Sequence, residues 1–462
     1  MIISLLKRLN DFVWGIPALV MIVGVGLYIS IRTGFPQIRL LPKALKSFFS
    51  QLHKKESDEE GISPFKALCT ALAATVGTGN LAGVAGAIAI GGPGAIFWMW
   101  VCAFLGMATK YAEATLALRY RRRNDSGEYI GGPMYMIEDG MGKKWKFLAS
   151  IYCFFGVTAS FGVGNATQIN TVVSGINSAI GSLGGNGTTL GNLLIGAGLA
   201  ILILVILLGG AQRIGDVAQM LVPFAAVIYI VLGVGVLLIN CHAIPQAFAA
   251  IVKGAFCPKA VTGGMLGSAF TSLRIGASRG VFTNEAGMGT ASIAHASAEV
   301  EHPAQQGLMG IVEVFLDTIV ICTITALVIL CSGVTIPYGT DVGVALTSNA
   351  FSSVFGNWVS VLIAALLCLF AIATVLGWGL YGMRSAQYLF GQNVWRKFAF
   401  LQAGMVLLGA VMGTGTVWIL SDIVNGLMAI PNLIALIFLC PELVQLTGVF
   451  KRLNTGFMKV KT

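Results

Sequence analysis

Long apolar stretches alternate with short polar and charged segments along the whole chain. Two of these stretches, residues 194–209 and 359–377, contain no charged residue at all. A helix needs about 20 apolar residues to cross the hydrocarbon core of a bilayer. A window of that length gives eleven candidate spans, at 13–33, 64–90, 94–118, 146–171, 190–209, 216–239, 262–298, 306–333, 357–383, 397–415 and 417–446. The pattern predicts an all-α polytopic membrane protein with about eleven transmembrane helices.

Two of these spans are interrupted near their middle by glycines and polar residues. The first carries Gly77, Thr78, Gly79 and Asn80, and each glycine costs about 1 kcal/mol against alanine in a helix interior. The second, at 262–298, is too long and too interrupted for one regular helix. Irregular backbone at membrane depth is tolerated only where it is buried in protein or lines a cavity. We therefore expect each of the two spans to form a pair of half-helices around a break.

The two breaks are similar to each other in sequence. Residues 287–291 (GMGTA) repeat the order of small residues in 77–81 (GTGNL). By our count they lie in the second and seventh spans, and a separation of five spans gives them opposite directions through the bilayer. Broken helices in corresponding positions of an inverted repeat indicate a substrate site near the membrane midplane.

Composition and charge agree with a membrane protein and predict its orientation. The chain is 56% hydrophobic and 10% charged, against roughly 25% charged in soluble domains. The 29 Lys and Arg exceed the 19 Asp and Glu, but they form short clusters between spans, which argues against nucleic-acid binding. Nearly all of them lie in alternate loops, so the positive-inside bias predicts an external amino terminus and a cytoplasmic carboxyl terminus.

Cysteine and histidine residues form no pattern of metal ligands. Most of the nine cysteines lie within apolar spans, and the four histidines are scattered. The sequence therefore predicts no cofactor apart from a coupling ion. Cys241 and Cys257 fall in one loop placed outside the cell, and a disulfide between them is left open.

A broken helix offers free backbone groups to a ligand. Carbonyl dipoles of the first half-helix can replace water around a cation, and free N–H groups of the second can hold a carboxylate. This arrangement suits a zwitterionic amino acid and Na⁺. Two other interpretations stay open for the first break: Gly79 and Gly83 pack helices closely, or Asn80 bonds a neighbouring helix. A dinucleotide fingerprint at 77–82 is rejected because no strand precedes it.

Four motifs resemble those of a known family. They are GGPGAIFWMWVCAFLG at 91–106, VGTGNLAGVA at 76–85, FTNEAGMGTA at 282–291, and Thr374 with Gly377 and Trp378. On these motifs the chain resembles the alanine or glycine:cation symporters (AGCS family) of bacteria and archaea over essentially its whole length. The first motif is specific, because an ordinary membrane helix has no reason to carry Phe-Trp-Met-Trp directly after Gly-Gly-Pro-Gly.

The resemblance implies a LeuT-type architecture and a transport function. Residues 1–462 would form one transporter domain, with an extra N-terminal helix at 13–33, inverted five-helix repeats at 64–239 and 262–446, and a cytoplasmic tail at 447–462. The implied function is Na⁺-coupled symport of alanine and/or glycine into the cell by alternating access. The implied partners are the substrate, Na⁺ and the lipid of a bacterial or archaeal cytoplasmic membrane, without nucleic acid or an obligatory protein.

Candidate site residues follow from the breaks and from the resemblance. The substrate-binding candidates are Thr78, Gly79, Asn80, Gln168, Asn284, Gly287, Thr374 and Trp378. The candidate Na⁺ ligands are Val76, Gly77 and Thr374. Thr374 and Trp378 lie four residues apart and share one helix face. The alternative for Gln168 and Asn165 is a hydrogen bond to a neighbouring helix, and for Trp378 a place in the interfacial aromatic belt.

Charged residues within the spans need a partner or a function. Among them are Lys110, Glu113, Glu313, Asp317 and Asp422. Glu313 and Asp317 share one face and either pair with an arginine of the seventh span or relay ions or protons. Lys110 and Glu113 are expected to satisfy each other, and Asp422 receives no role.

Small residues around the breaks indicate a small pocket, which favours alanine, glycine or serine over aromatic substrates. Two other function classes are weaker. A channel filter normally comes from repeated subunits around an axis, and a membrane enzyme would need a metal cluster or a nucleophile with its base. The sequence leaves open Na⁺ against H⁺, alanine against glycine, serine or glutamine, the stereochemical preference and the oligomeric state.

Overall fold

The computed structural model describes residues 2–52, 62–125, 127–258, 262, 268–340, 342–412 and 414–454. Within these residues the chain is almost entirely helical, apart from an antiparallel pair of short strands, β1 (Arg122–Arg123) and β2 (Tyr129–Ile130). The predicted cytoplasmic tail lies outside the described residues from position 455 onward.

The helices of the first half follow the predicted spans closely. In chain order they are α1 (Ile2–Val13), α2 (Ile16–Thr33), α3 (Pro36–Arg39), α4 (Leu41–Leu52), α5 (Pro64–Thr75), α6 (Val84–Gly91), α7 (Gly94–Arg119), α8 (Pro133–Tyr135), α9 (Lys146–Phe161), α10 (Thr167–Ser182), α11 (Thr189–Leu207), α12 (Gly210–Ile239) and α13 (Ile244–Phe256). Turns of π-helix lie at Gly79–Gly83, Met136–Met141 and Gly162–Ala166, and 3-10 turns at Lys143–Trp145 and Cys241–Ala243.

The second half of the chain is also built of helices joined by short turns. Its helices are α14 (Ala269–Asn284), α15 (Thr290–His295), α16 (Pro303–Val314), α17 (Thr323–Cys331), α18 (Ala345–Phe355), α19 (Val359–Phe390), α20 (Trp395–Val411) and α21 (Thr414–Asn454). A π-helical turn at Phe315–Cys322 joins α16 to α17, and a 3-10 turn at Gln392–Val394 precedes α20.

Eight helical segments of the described chain are long and apolar enough to cross a membrane. A ninth span results if the bent pair α5 and α6 is counted as one. The remaining predicted spans contain α2, part of which forms a shorter apolar helix at Pro17–Thr33, and the pair α14 and α15. The helical membrane architecture is confirmed, whereas the number of eleven spans stays a prediction.

Several helices lie outside the predicted spans. The first basic loop contains α3 and α4, and α1, α13 and α18 flank other spans. The sequence of α4, LPKALKSFFSQL, mixes apolar and basic positions at helical spacing, as is typical of a helix with one apolar face. A hydropathy window overlooks such helices because their mean hydropathy is lower than that of a helix that crosses a bilayer.

The two cysteines placed in one external loop are separate thiols. Cys241 precedes α13 and Cys257 follows it, and both are exposed. The thirteen residues of this helix span roughly 20 Å at 1.5 Å per residue. That separation exceeds the reach of a disulfide, so the open question of their pairing is answered in the negative for this conformation.

Small residues bring the central helices into close contact. A Cβ added to Gly377 on α19 would lie 2.9 Å from the Cβ of Ala74 on α5, and one added to Gly310 on α16 would lie 2.8 Å from the carbonyl of Lys110 on α7. Such crossings allow backbones to approach closely in membrane proteins. They place α7, α16 and α19 directly beside the broken helices.

Candidate functional site

The first break separates α5 from the π-helical turn at Gly79–Gly83. The helix α5 ends because Val76 has an extended backbone, with ψ 96°, and the chain bends by 50° between the two half-helices. The Gly77 N–H donates to Oδ1 of Asn80 over 2.8 Å. Asn80 thus stabilises the break by capping its free backbone, as expected of a residue that replaces a lost helical bond.

Three candidate ligands converge on Gly77. A Cβ at Gly77 would lie 2.5 Å from Oγ1 of Thr374 and 3.3 Å from Oε1 of Gln168. The hydroxyl of Thr78 donates to the same Gln168 oxygen over 2.8 Å. The predicted cation ligand Thr374 and two predicted substrate ligands therefore meet at one point of the first break.

A second π-helical turn, Gly162–Ala166, positions Gln168. The amide of Gln168 donates to the carbonyl of Val163 over 3.0 Å, which orients its oxygen toward the first break. A Cβ added to Gly164 would overlap the side chain of Trp378. The indole therefore packs directly against the backbone of this turn.

Trp378 connects this region to the second break. It is 1% exposed and therefore lies inside the protein, so the alternative of an interfacial belt residue is wrong. Its Nε1–H donates to Oε1 of Glu285 over 2.7 Å, and Thr290 donates to the other oxygen of that carboxylate over 2.5 Å. Sequence reasoning missed Glu285 as a site residue, although it stands within the FTNEAGMGTA motif.

The second break lies where it was predicted. The helix α14 ends at Asn284, Glu285 has a left-handed backbone with φ 53°, and α15 begins at Thr290. Gly287 and Gly289 have φ values of 94° and 76°, a region that favours glycine because other residues are strained there. The backbone conformation of Glu285 stores strain of a kind that is common at functional sites.

Glu113, a residue of α7, forms hydrogen bonds to the backbone of the second break. Its Oε1 accepts from the N–H groups of Gly287 and Gly289 over 3.0 Å each, and from Nδ2 of Asn432 over 2.7 Å. Asn432 also donates to the carbonyl of Gly287 over 2.9 Å. Both backbone polar groups of the predicted substrate ligand Gly287 are thus bonded within the protein.

A chain of hydrogen bonds joins the two breaks. Asn80 donates to Oδ1 of Asp317 over 2.7 Å, and Thr318 donates to Oδ2 over the same distance. Asn284 in turn donates to Thr318 over 3.2 Å. Asp317 and Thr318 lie in the π-helical turn after α16. The candidate residues Asn80 and Asn284 therefore share one bridge between the breaks.

The buried charges pair differently from the sequence-based expectation. Lys110 bonds Glu313 over 2.9 Å rather than Glu113, because Glu313 approaches from the closely packed α16. His295 contacts the other oxygen of Glu313 over 2.9 Å. The alternative in which Glu313 or Asp317 pairs with an arginine of the seventh span is therefore wrong, because their oxygens bond Lys110, His295, Asn80 and Thr318; a relay through them stays a prediction.

Two further polar residues of the spans have partners in the structure. Arg279 lies 3.7 Å from Asp422, which gives this carboxylate, for which the sequence predicts no role, a charged neighbour. Asn165 donates to the carbonyl of Gln402 over 2.9 Å, as the alternative of a bond between helices proposed.

The site is enclosed and rich in oxygen donors. The side chains of its polar candidates are at most 3% exposed. Its first break offers carbonyl and hydroxyl oxygens, which are the ligands that hard cations prefer. The described residues contain no group of three or more His, Cys, Asp or Glu that could hold a metal ion. Chemically, this arrangement fits a zwitterion and an alkali cation better than a transition metal.

Comparison with known proteins places the chain among transporters. It matches the model of the sodium:alanine symporter family over residues 1–459. It is 44% identical over 461 residues to the sodium/alanine symporter AgcS of Methanococcus maripaludis, covering 99% of both chains. It is 39% identical over 435 residues to the probable sodium/glutamine symporter GlnT of Bacillus subtilis, covering 93% of this chain and 87% of that protein.

The fold has a relative among solved structures. It is similar to the crystal structure of MhsT in complex with L-phenylalanine, with a TM-score of 0.57 and 14% identity over 85% of this chain and 99% of that one. This likeness concerns the fold alone, and it confirms the expected LeuT-type architecture. The matches to symporters also confirm a secondary transporter rather than a channel or an enzyme. The chain belongs to the sodium:alanine symporter family.

Proposed function

We propose that the chain imports alanine, glycine or both together with Na⁺, at the enclosed site between its two breaks. The observation that carries this proposal is the convergence of Thr374, Gln168 and Thr78 on Gly77. Hydroxyl, amide and backbone groups meet at this point, and none of the three side chains is charged. A polar environment without charged side chains suits a zwitterion, because its positive and negative charges cancel.

The cation would lie between α5 and α19. The Val76 carbonyl follows the end of α5, the Gly77 carbonyl accepts a long bond of 3.3 Å from the N–H of Asn80, and the Thr374 hydroxyl lies beside Gly77. Carbonyl dipoles at the end of a half-helix attract a cation. We assign the Na⁺ ligands to these three residues.

The substrate would lie beside the cation with its carboxylate at the first break. Thr78, Gly79 and Asn80 begin the second half-helix there, and half-helix amino ends favour anions. Gly79 packs against the last turn of α14, since a Cβ on it would lie 3.0 Å from Thr283. This close approach leaves little room, which favours a small side chain such as that of alanine or glycine. Asn284 and Trp378 would complete the pocket from the other side.

We assign the amino terminus to the outside and the carboxyl terminus to the cytoplasm, in keeping with the basic loops. The end assigned to the cytoplasm carries ion pairs between separate elements. Arg384 on α19 bonds Glu128 over 2.9 Å, and Arg119 bonds Glu442 over 2.6 Å. Alternating access would require such contacts to break and reform as this end opens.

Uptake into proteoliposomes tests the proposed function. Labelled alanine should accumulate when an inward Na⁺ gradient is imposed, and it should not accumulate with equal Na⁺ on both sides or with K⁺ in its place. Unlabelled glycine, serine and glutamine serve as competitors, and the first two should compete best. Absence of Na⁺-driven accumulation for all four amino acids would refute the proposal.

A matched pair of threonine variants tests the cation site. Thr374 and Thr158 both donate to the carbonyl four residues earlier over 2.9 Å, but Thr374 is buried at the break and Thr158 is exposed on α9. Thr374→Val should lower the apparent affinity for Na⁺ at least about tenfold, since a bond to a charged group contributes about 1.5–3 kcal/mol. Thr158→Val should leave it unchanged. Equal Na⁺ dependence in both variants would remove Thr374 from the cation site.

A further inference from the structure

Acidic groups outnumber basic groups in the buried network between the two breaks. This network contains four carboxylates and one lysine, all buried: Glu113, Glu285, Glu313, Asp317 and Lys110. His295 also belongs to it: its Nδ1 lies 2.8 Å from the amide nitrogen of Gln306, and its Nε2 lies 2.9 Å from Oε2 of Glu313. Four carboxylates against one ammonium leave three uncompensated charges. One Na⁺ at the first break balances only one of them.

Hydrogen bonding distinguishes one carboxylate from the others. Both oxygens of Glu285, Glu313 and Asp317 have partners. Glu113 differs, because its Oε1 accepts three hydrogen bonds whereas its Oε2, although buried, has no partner among the described residues. An unsatisfied charged oxygen inside a membrane protein is costly. Glu113 is therefore the carboxylate of this network with one oxygen that has neither a cation nor a hydrogen-bond donor beside it among the described residues.

A second unpartnered oxygen belongs to the same pair of side chains. The Nδ2 of Asn432 donates to Oε1 of Glu113 over 2.7 Å, but its Oδ1 has no partner in the described part of the chain. Carboxylate and amide oxygens both accept hydrogen bonds, so neither can satisfy the other. A proton on Oε2 of Glu113 would donate to Oδ1 of Asn432. Acid and amide would then pair through two hydrogen bonds.

We propose that Glu113 is a proton-binding site at the second break, with Asn432 as the acceptor of its proton. One proton removes one excess charge and satisfies two buried oxygens. A metal cation would need several oxygen ligands at once, and each neighbouring carboxylate already uses both of its oxygens. Because Glu113 holds the N–H groups of Gly287 and Gly289, its protonation weakens this contact. Proton binding thus loosens the second break.

The titratable groups near Glu113 come from several elements packed around it. They are Lys110 on α7, Glu285 in the break, Glu313 on α16, and the phenols of Tyr152 on α9 and Tyr381 on α19. The one ammonium among them is bonded to Glu313. No second positive charge stands among these groups, so a proton on Glu113 is the charge that would complete this part of the network. This proposal deepens the proposed transport function, but its first two tests do not depend on transport.

Thermal unfolding of purified variants gives the first test. In Glu113→Gln the side-chain amide donates to Asn432 as a protonated acid would, while its carbonyl still accepts from the second break. The melting temperature of Glu113→Gln should therefore stay close to that of the wild type, whereas Glu113→Ala should melt clearly lower. If Glu113 is ionised instead, its charge-assisted bonds are lost in both variants. An equal loss of stability in the two variants would overturn the proposal.

Infrared spectroscopy of the solubilised protein gives the second test. A protonated carboxylic acid has a C=O stretch that a carboxylate lacks, and one component of this band should disappear in Glu113→Gln. The control is Glu442→Gln, because Glu442 pairs with Arg119 outside the network and should not contribute. Loss of the same component in Glu285→Gln, with an unchanged band in Glu113→Gln, would move the proton to Glu285 and refute the assignment.

The pH dependence of transport gives the third test. With a fixed Na⁺ gradient, wild-type alanine uptake should differ between about pH 5.5 and about pH 8.5, where ordinary surface carboxylates stay ionised. Glu113→Gln should lose this difference, and Glu442→Gln should keep it. A wild-type pH profile in Glu113→Gln would contradict the proposal. Absence of uptake by every protein would instead refute the proposed substrate, and the first two tests would still decide on the proton.

Discussion

Replacing Gly77 with alanine should strongly reduce transport, because the first break has no room for a methyl group at that position. The added Cβ would lie 2.5 Å from Oγ1 of Thr374 and 3.3 Å from Oε1 of Gln168. Both distances are shorter than an ordinary van der Waals contact. The threonine must therefore rotate or α19 must move away from α5.

The size of this effect follows from the bonds that must change. Rotation of Thr374 breaks its 2.9 Å bond to the carbonyl of Phe370, which costs about 1 kcal/mol. Overpacking adds about 1–3 kcal/mol. A displacement of the hydroxyl also removes it from the proposed Na⁺ position. We expect Na⁺-driven alanine uptake by Gly77→Ala to fall at least about tenfold, which corresponds to about 1.4 kcal/mol.

Gly83 provides a control six residues away in the same span. A Cβ there would meet no atom within 4 Å, so Gly83→Ala should transport normally and gain up to about 1 kcal/mol of helix stability. The two variants are compared by uptake into proteoliposomes and by thermal unfolding in detergent. Loss of uptake in Gly83→Ala would favour the small-xxx-small interpretation of this segment. Normal uptake by Gly77→Ala would refute the cation site as described.

Three further variants test individual contacts of the site. Trp378→Phe keeps the ring packing but loses the bond to Glu285, so alanine uptake should fall several-fold, whereas exposed Trp358→Phe should have no effect. Glu285→Gln should weaken apparent alanine affinity roughly fivefold without changing Na⁺ affinity, since charge-assisted bonds exceed neutral ones by about 1 kcal/mol; an unchanged half-saturating alanine concentration would contradict this. Lys110→Met leaves Glu313 buried without its cation and should cost about 3–5 kcal/mol. Thermal unfolding should show this loss, and adding Glu313→Leu should restore part of the stability.

The breaks were predictable from sequence because their cause is local. Glycine lowers helix propensity and polar side chains interrupt an apolar span, and both signals are present at 77–80 and 284–289. Thr374 and Trp378 are predicted site residues on the basis of their spacing and the family resemblance. Their contacts with Gly77 and Glu285 depend instead on how closely α19 packs against α5, which no local pattern records.

The pairing of buried charges was not predictable in the same way. Lys110 and Glu113 stand three residues apart and suggest a pair on one helix, yet Lys110 bonds Glu313, more than two hundred residues later in the chain. Gly310 permits this, because its missing side chain lets α16 approach the backbone of Lys110. Once Lys110 is bonded to Glu313, Glu113 accepts instead from the N–H groups of the second break and from Asn432.

The two breaks are therefore held by different chemistry, and this difference assigns them different roles. Neutral amides and hydroxyls, those of Asn80, Gln168 and Thr374, surround the first break. Such bonds differ little in free energy from bonds to a ligand or to water, so a substrate and a cation can replace them. Acidic side chains hold the second break, and among them the carboxylate of Glu285, bonded to Trp378 and Thr290, would repel a substrate carboxylate. The zwitterion should thus enter with its carboxylate at the first break and its ammonium toward the second.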